Sequence, residues 1–136
     1  MAISGNFPEL KNSRFDVTIE VGTPISGFNF AIMQTGLHGS SAFTGVKIAE
    51  FSGREGYLFD QSGNFFGGYQ SGVPFDISVH YNYEITGFSY YFGDVLMANN
   101  ITSHTGIGAL KETPNHISGQ KYNNSTFSVF VTGDMV

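Results

Sequence analysis

Residues 75–83 read Phe-Asp-Ile-Ser-Val-His-Tyr-Asn-Tyr, with large apolar side chains at every second position and polar ones between them. Successive side chains of a β-strand point to opposite faces of the sheet, so this alternation predicts a strand with one buried and one wet face. The same period recurs at residues 15–21 and 127–131. Because no helical period of useful length accompanies it, we predict an all-β, antiparallel β-sandwich with little or no helix.

Turn-forming residues divide the chain into further short strands. The five residues 60–64, Asp-Gln-Ser-Gly-Asn, separate two aromatic runs and predict a hairpin over residues 56–69, with a bulge at Gly67 and Gly68. Gly93 and Asp94 predict a type II′ turn, so residues 75–98 are expected to form a three-stranded meander. Further strands are expected at 28–34, covered on both faces, at 46–51, followed by a turn at 53–56, and at 126–132, beside an early strand.

Two segments lack a clear strand pattern. Residues 99–124 are polar and contain spaced glycines and a proline, and long structureless connections are uncommon inside compact domains. We therefore expect a short strand near residues 107–110 within an otherwise irregular excursion.

Residues 1–11 form either an N-terminal arm or a short first strand, because Pro8 limits pairing inside a sheet. At 136 residues the chain is expected to be a single domain, residues 1–136.

The composition excludes several classes of function. Cysteine is absent, so neither a disulfide nor a thiolate metal site is available. The net charge is −5 and the six basic residues are scattered, which argues against nucleic acid and membrane surfaces as partners. Only 12% of the residues are charged, and a surface so poor in charge favours a homo-oligomer or a subunit packed against neighbours.

The N-terminal residues lack the basic start and apolar middle of a secretory signal, and no apolar run approaches the length of a membrane-spanning helix. This pattern predicts a protein without a signal peptide that is made in a cytoplasm.

The chain offers no recognisable catalytic constellation. Its four histidines, at 38, 80, 104 and 116, lack the spacing of a metal site, and residues 60–64 lack the further acidic ligands of a calcium loop. There is no Gly-x-Ser-x-Gly elbow, and the glycines at 63–68 stand between strands rather than before a helix. We therefore predict a non-enzymatic protein with no metal and no cofactor.

Tyrosine provides the positive lead toward a contact surface. A tyrosine ring stacks on a sugar or anchors a protein contact while its hydroxyl reaches a polar partner. The alternative for each tyrosine is packing between the sheets, and adjacent Tyr90 and Tyr91 must face opposite ways. The candidate contact residues for a partner or glycan are Tyr57, Tyr69, Tyr90 and Tyr91, with His38 and His104 in the polar loops.

The middle of the chain carries a family resemblance. Gly-Tyr-Leu-Phe-Asp at 56–60, Pro-Phe-Asp-Ile-Ser-Val-His-Tyr at 74–81 and Phe-Ser-Tyr-Tyr-Phe-Gly-Asp-Val-Leu at 88–96 resemble the central strands of concanavalin A-like and laminin G-like jelly-roll sandwiches. The resemblance covers about a third of the chain and rests on pattern rather than on a diagnostic motif. It implies a jelly-roll-like sandwich of the kind that is appended to bacteriophage virion proteins.

Three functional hypotheses follow from these observations. The first is a virion structural protein, a capsid decoration or tail-fibre component located in the virion, which assembles with other virion proteins and with copies of itself. The alternative is a carbohydrate-binding, lectin-like module that holds a glycan through its tyrosines and polar loops. The third is a hydrolase on the same sandwich, which requires two carboxylates in one cleft.

Overall fold

A computed structural model describes residues 2–7, 12–22, 27–34, 46–82, 84, 87–102, 114–121 and 125–133. Within these residues the chain forms strands and turns and no helix, so no helix there could span a membrane. The strands are β1 (Ala2–Asn6), β2 (Arg14–Glu20), β3 (Phe28–Gln34), β4 (Val46–Arg54), β5 (Tyr57–Phe59), β6 (Phe65–Gly68), β7 (Phe75–Asn82), β8 (Gly87–Phe92), β9 (Val95–Thr102), β10 (His116–Lys121) and β11 (Thr126–Thr132).

The strands form two antiparallel sheets. The six-stranded sheet has the order β1-β10-β3-β4-β5-β6, and the five-stranded sheet has the order β11-β2-β7-β8-β9. Every described pairing is antiparallel. This arrangement confirms the predicted all-β sandwich with two antiparallel sheets.

The core lies between the two sheets and is rich in aromatic rings. Phe51 of β4 and Phe66 of β6 both contact Tyr90 of β8, with ring centroids 5.0 and 5.2 Å apart. Phe30 of β3 meets Phe127 of β11 at 5.8 Å. Burying rings of this size removes large apolar areas from water, and edge-to-face contacts add stabilisation beyond that burial. The two sheets are therefore joined by packing, without a disulfide.

Strand alternation places the side chains as predicted. In β2, Phe15, Val17 and Ile19 are fully buried, and in β7 Ile77 and Val79 are fully buried. The hairpin over β5 and β6, the meander over β7 to β9 and the return of β11 beside β2 are all confirmed. Gly93 has a φ of 60°, as the first central position of a type II′ turn requires.

Several local predictions were wrong. The turn after β4 comprises Glu55 and Gly56 rather than residues 53–56, because β4 continues through Gly53 to Arg54. The register shift of the β5–β6 hairpin falls at Leu58/Phe59, so Phe66 rather than Gly67 or Gly68 is the extra residue. The outer face of β3 is covered only in part, because Asn29 is exposed and Met33 half-buried, whereas Ala31 between them is buried.

The strand β10 was missed in the segment that we expected to be irregular. Its sequence, His-Ile-Ser-Gly-Gln-Lys, lacks strand alternation, yet it pairs with both β1 and β3. A β-carbon at Gly119 would collide with the backbone carbonyl of Asn29, so glycine permits the close approach of β10 to β3. The strand predicted near residues 107–110 lies outside the described residues, as do residues 8–11. Residues 2–6 form β1, the edge strand of the six-stranded sheet, which pairs with β10.

The close approach at Gly119 generates a stability prediction. Gly119→Ala places a methyl group against the Asn29 backbone, which cannot move without disturbing the β10–β3 pairing. We therefore expect this substitution to lower the free energy of unfolding by about 2 kcal/mol or more. Gly5→Ala is the control, because a β-carbon there would meet the Phe7 ring at 3.5 Å, an ordinary contact. Urea denaturation measures both variants, and equal stability of the two would contradict the account.

Candidate functional site

A group of three aromatic rings and one guanidinium, exposed except for the half-buried Phe59, lies on the outer face of the six-stranded sheet, at the end formed by β4, β5 and β6. We call this group the edge platform; it consists of Arg54, Tyr57, Phe59 and Phe65. Phe65 is 60% exposed and Tyr57 is 55% exposed. Exposed rings of this size, gathered at one place, are unusual for a surface without a partner.

Strand alternation and one bulge place these side chains outside the core. In β5, Leu58 is fully buried while Tyr57 and Phe59 on either side of it face outward. In the β5–β6 pairing Leu58 lies opposite Gly67 but Phe59 lies opposite Phe65, which leaves Phe66 as the extra residue. Phe66 turns into the core and Phe65 turns out, so this bulge decides which of two adjacent phenylalanines joins the platform.

The platform is held together by ring contacts and by a cation–π contact. The Phe65 ring centroid lies 5.8 Å from that of Tyr57 and 6.4 Å from that of Phe59. The Arg54 guanidinium carbon lies 4.7 Å from the centre of the Phe59 ring. A depression of about 300 Å³ is lined by Arg54, Tyr57 and Phe59, together with Glu55 of the neighbouring turn. The surface thus combines flat apolar faces with hydrogen-bond donors and one carboxylate.

Asp60 fixes the loop that joins the two strands of the platform hairpin. Its Oδ1 atom accepts hydrogen bonds from the backbone N–H groups of Ser62 and Asn64, at 2.9 and 3.0 Å. Its Oδ2 atom accepts a hydrogen bond of 2.9 Å from the Tyr90 hydroxyl, which comes from the opposite sheet. The carboxylate therefore organises a hairpin turn, the alternative to a calcium loop that the sequence favoured. The hairpin is anchored to the core through Tyr90.

The environment of Tyr90 keeps its hydroxyl protonated. Burial raises the pKa of Tyr90 well above its ordinary value, and the hydrogen bond to Asp60 and the negative charge of that carboxylate raise it further. Burial also raises the pKa of Tyr69, against the opposing effect of a hydrogen bond from the Gly56 backbone. Both tyrosines act as neutral groups at the junction of the hairpin with the core.

The four predicted contact tyrosines lie in different places. Tyr57 belongs to the edge platform, whereas Tyr90 is buried with 3% of its surface exposed, so the prediction that it touches a partner directly does not fit its position. Tyr69 is also buried, although it lines a cavity at the end of the sandwich. Tyr91 lies on the outer face of the five-stranded sheet, where its ring meets that of His80 at 4.5 Å. His38 and His104 lie outside the described residues.

Sequence reasoning missed Arg54, Phe59 and Phe65. The alternation Tyr57-Leu58-Phe59 was a usable signal, because it puts the first and third residues on one face. No such signal existed for Phe65 beside Phe66, since only the bulge separates their directions. Arg54 is one of six scattered basic residues, and its place beside Phe59 depends on the position of the turn.

The outer face of the five-stranded sheet is mainly polar. The Arg14 Nε atom donates to both carboxylate oxygens of Asp16, at 3.0 and 3.1 Å, and Ser78 donates to the same carboxylate at 2.7 Å. Burial lowers the pKa of His80, as does the nearby charge of Arg14, while Asp16 opposes them. Among the described residues no group of three or more acidic or histidine side chains is placed to hold a metal ion.

Comparison with known proteins identifies the fold. Neither a protein-family model nor a curated protein sequence matches the chain. Among solved structures, a sialidase superimposes with a TM-score of 0.63 at 9% identity over 99% of this chain. Galectin LEC-6 of Caenorhabditis elegans gives 0.62 at 11% identity over 96% of the chain, and Xenopus laevis galectin-Ib gives 0.57 at 11% identity over 94%.

The chain covers a much larger share of the galectins than of the sialidase. The chain spans 11% of the length of the sialidase, but 89% of the nematode galectin and 100% of the frog galectin. At these identities the similarity establishes the fold, a jelly-roll-like β-sandwich found in galectins and within sialidases. It gives no support to an association with bacteriophage, so the virion role, its location and assembly with virion proteins stay predictions.

The environment of Tyr90 predicts how stability depends on pH. A tyrosine whose pKa is higher in the folded than in the unfolded state stabilises the fold below the unfolded pKa, near 10, and this stability falls as pH rises further. Tyr90→Phe removes one such group. Above about pH 10 the unfolding free energy of the variant should therefore fall less steeply with pH than that of the unmodified chain, and the two slopes should differ by up to about 1.4 kcal/mol per pH unit.

Denaturant titrations between about pH 9 and pH 12 measure this slope. Tyr57→Phe is the control, because it removes an exposed hydroxyl and leaves the buried one in place. The same slope in Tyr90→Phe and in the unmodified chain would refute the assigned role of this hydroxyl.

Proposed function

We propose that this protein is a non-enzymatic carbohydrate-binding module and that the edge platform is its glycan site. The observation that carries the proposal is the outward row of Arg54, Tyr57, Phe59 and Phe65 on one face of a sandwich whose fold is that of galectins. The proposal selects the lectin-like hypothesis over the virion structural one.

The platform suits the two kinds of surface that a sugar presents. One face of a pyranose ring is made largely of C–H groups, which pack against the flat face of an aromatic ring. Its hydroxyl groups need hydrogen-bond partners at fixed positions, and the Arg54 guanidinium and Tyr57 hydroxyl supply donors at the rim of the same surface. Arg54 is already stacked on Phe59, so less side-chain entropy is lost when it binds.

The absence of catalysis is part of the proposal. Glycoside hydrolysis ordinarily requires two carboxyl groups on opposite sides of the scissile bond. Among the described residues that line the depression beside the platform, Glu55 is the single acid. Asp60, which follows Phe59 in sequence, accepts hydrogen bonds from Tyr90 and from the backbone of its own loop. These groups favour binding a sugar over cleaving one.

A glycan array followed by calorimetry with the strongest hit tests this function. Phe65→Ala and Arg54→Ala should each weaken that affinity by about tenfold or more, because each removes a central contact of the platform. Since both side chains are exposed, neither variant should lower the melting temperature appreciably.

Phe130→Ala is the matched control. Phe130 is 66% exposed, close to the value for Phe65, but it lies on β11 of the opposite sheet. Its removal should leave glycan affinity unchanged. An array without hits, or equal losses for Phe65→Ala and Phe130→Ala, would reject the proposal.

A further inference from the structure

A second cavity, of about 800 Å³, opens at the end of the sandwich beside the β4–β5 turn. It shares Glu55 and Tyr57 with the depression at the edge platform but is otherwise lined by different residues. The volume falls within the range typical of small-molecule sites. The cavity therefore adjoins the edge platform through Glu55 and Tyr57, but most of its walls come from other residues.

Four aromatic rings line this cavity. Tyr69 and Phe75 are in contact, with centroids 5.3 Å apart, and Phe75 in turn contacts Phe92 at 6.3 Å. Tyr57 completes the aromatic lining at the rim. The π face of each ring carries a negative electrostatic potential, so rings around one space attract a cation, most strongly one that is weakly hydrated.

The described residues that line the cavity carry a single charged group, and it is negative. Among its described lining residues Glu55 is the one charged side chain, and the others are Gly56, Tyr57, Gly68, Tyr69, Gln70, Val73, Pro74, Phe75 and Phe92. Arg54 precedes Glu55 in sequence, but its guanidinium lies over Phe59 on the platform. A carboxylate beside aromatic rings, in a chain of net charge −5, favours a positively charged ligand and disfavours an anion.

The backbone at Glu55 is an independent sign of function. Glu55 and Gly56 both have positive φ, 52° and 90°, and form the two-residue turn between the paired residues Arg54 and Tyr57. Asparagine or glycine is strongly preferred at the first of these positions, because a longer side chain is strained in the left-handed region. Glutamate at this position costs stability, and the strained residue lies at the rim of the aromatic cavity, which points to a role for its carboxylate in binding.

We propose that this cavity binds a small organic cation with a methylated or quaternary ammonium group, with Glu55 as the counter-charge and Tyr57, Tyr69, Phe75 and Phe92 as the aromatic walls. The proposal goes beyond glycan recognition, because it concerns another ligand class. Within this site Glu55 balances the charge of the ligand, and the rings replace the weak hydration shell of its methyl groups.

Calorimetric titration with choline chloride tests the proposal against an uncharged molecule of the same shape, 3,3-dimethyl-1-butanol. Choline should bind, and the alcohol should bind at least about tenfold more weakly, because it lacks the charge that the rings and the carboxylate recognise. Equal affinity for both compounds, or no binding of choline, would overturn the proposal. Neither result depends on the outcome of the glycan array.

Substitutions at Glu55 separate binding from stability. Glu55→Gln and Glu55→Asn should each weaken choline binding by about tenfold, and Glu55→Asn should raise the melting temperature because asparagine suits the turn better. Glu20→Gln is the control, since it makes the same change of charge at an exposed position of β2 and should leave choline binding intact. Choline affinity that is unchanged in both Glu55 variants would contradict the assignment.

Discussion

The contact of Tyr90 with the opposite sheet is the interaction on which the rest of the structure depends. Its ring packs against Phe51 and Phe66, and its hydroxyl donates to the Asp60 carboxylate in the loop between β5 and β6. One side chain thus joins the two sheets and also holds the hairpin that carries most of the edge platform. Because the ring is buried and the hydrogen bond is partly buried, loss of this contact would loosen both the packing between the sheets and the platform hairpin.

The two faces of the six-stranded sheet have different roles as a result. Inward residues such as Leu58 and Phe66 supply the burial that stabilises the fold, whereas their neighbours Tyr57 and Phe65 remain exposed. The net free energy of folding is a small difference between large opposing terms. A cluster of large aromatic rings exposed to water therefore points to a binding surface. Aromatic residues therefore serve two separate tasks in adjacent positions of the same short strands.

The sequence predicted the fold class better than the site. The two-residue period of β2, β7 and β11 was sufficient because it reflects burial on one face, which is local and regular. Strand β10 was invisible, since its place beside β3 depends on the missing side chain of Gly119 rather than on any apolar pattern. The outward direction of Phe65 depends on a bulge, and a shift of one residue reverses every side chain of a strand. Tyr57 was predicted as a contact residue because it is a tyrosine, and it lies in the platform. Tyr90 was predicted on the same ground, but it is buried and supports the platform hairpin through Asp60.

The most direct test of the account is backbone amide chemical-shift mapping by NMR during titration with the glycan that the array selects. The shifts should concentrate around Arg54, Tyr57, Phe59 and Phe65, on the outer face of the six-stranded sheet. Shifts centred instead on His80 and Tyr91, on the outer face of the five-stranded sheet, would contradict it.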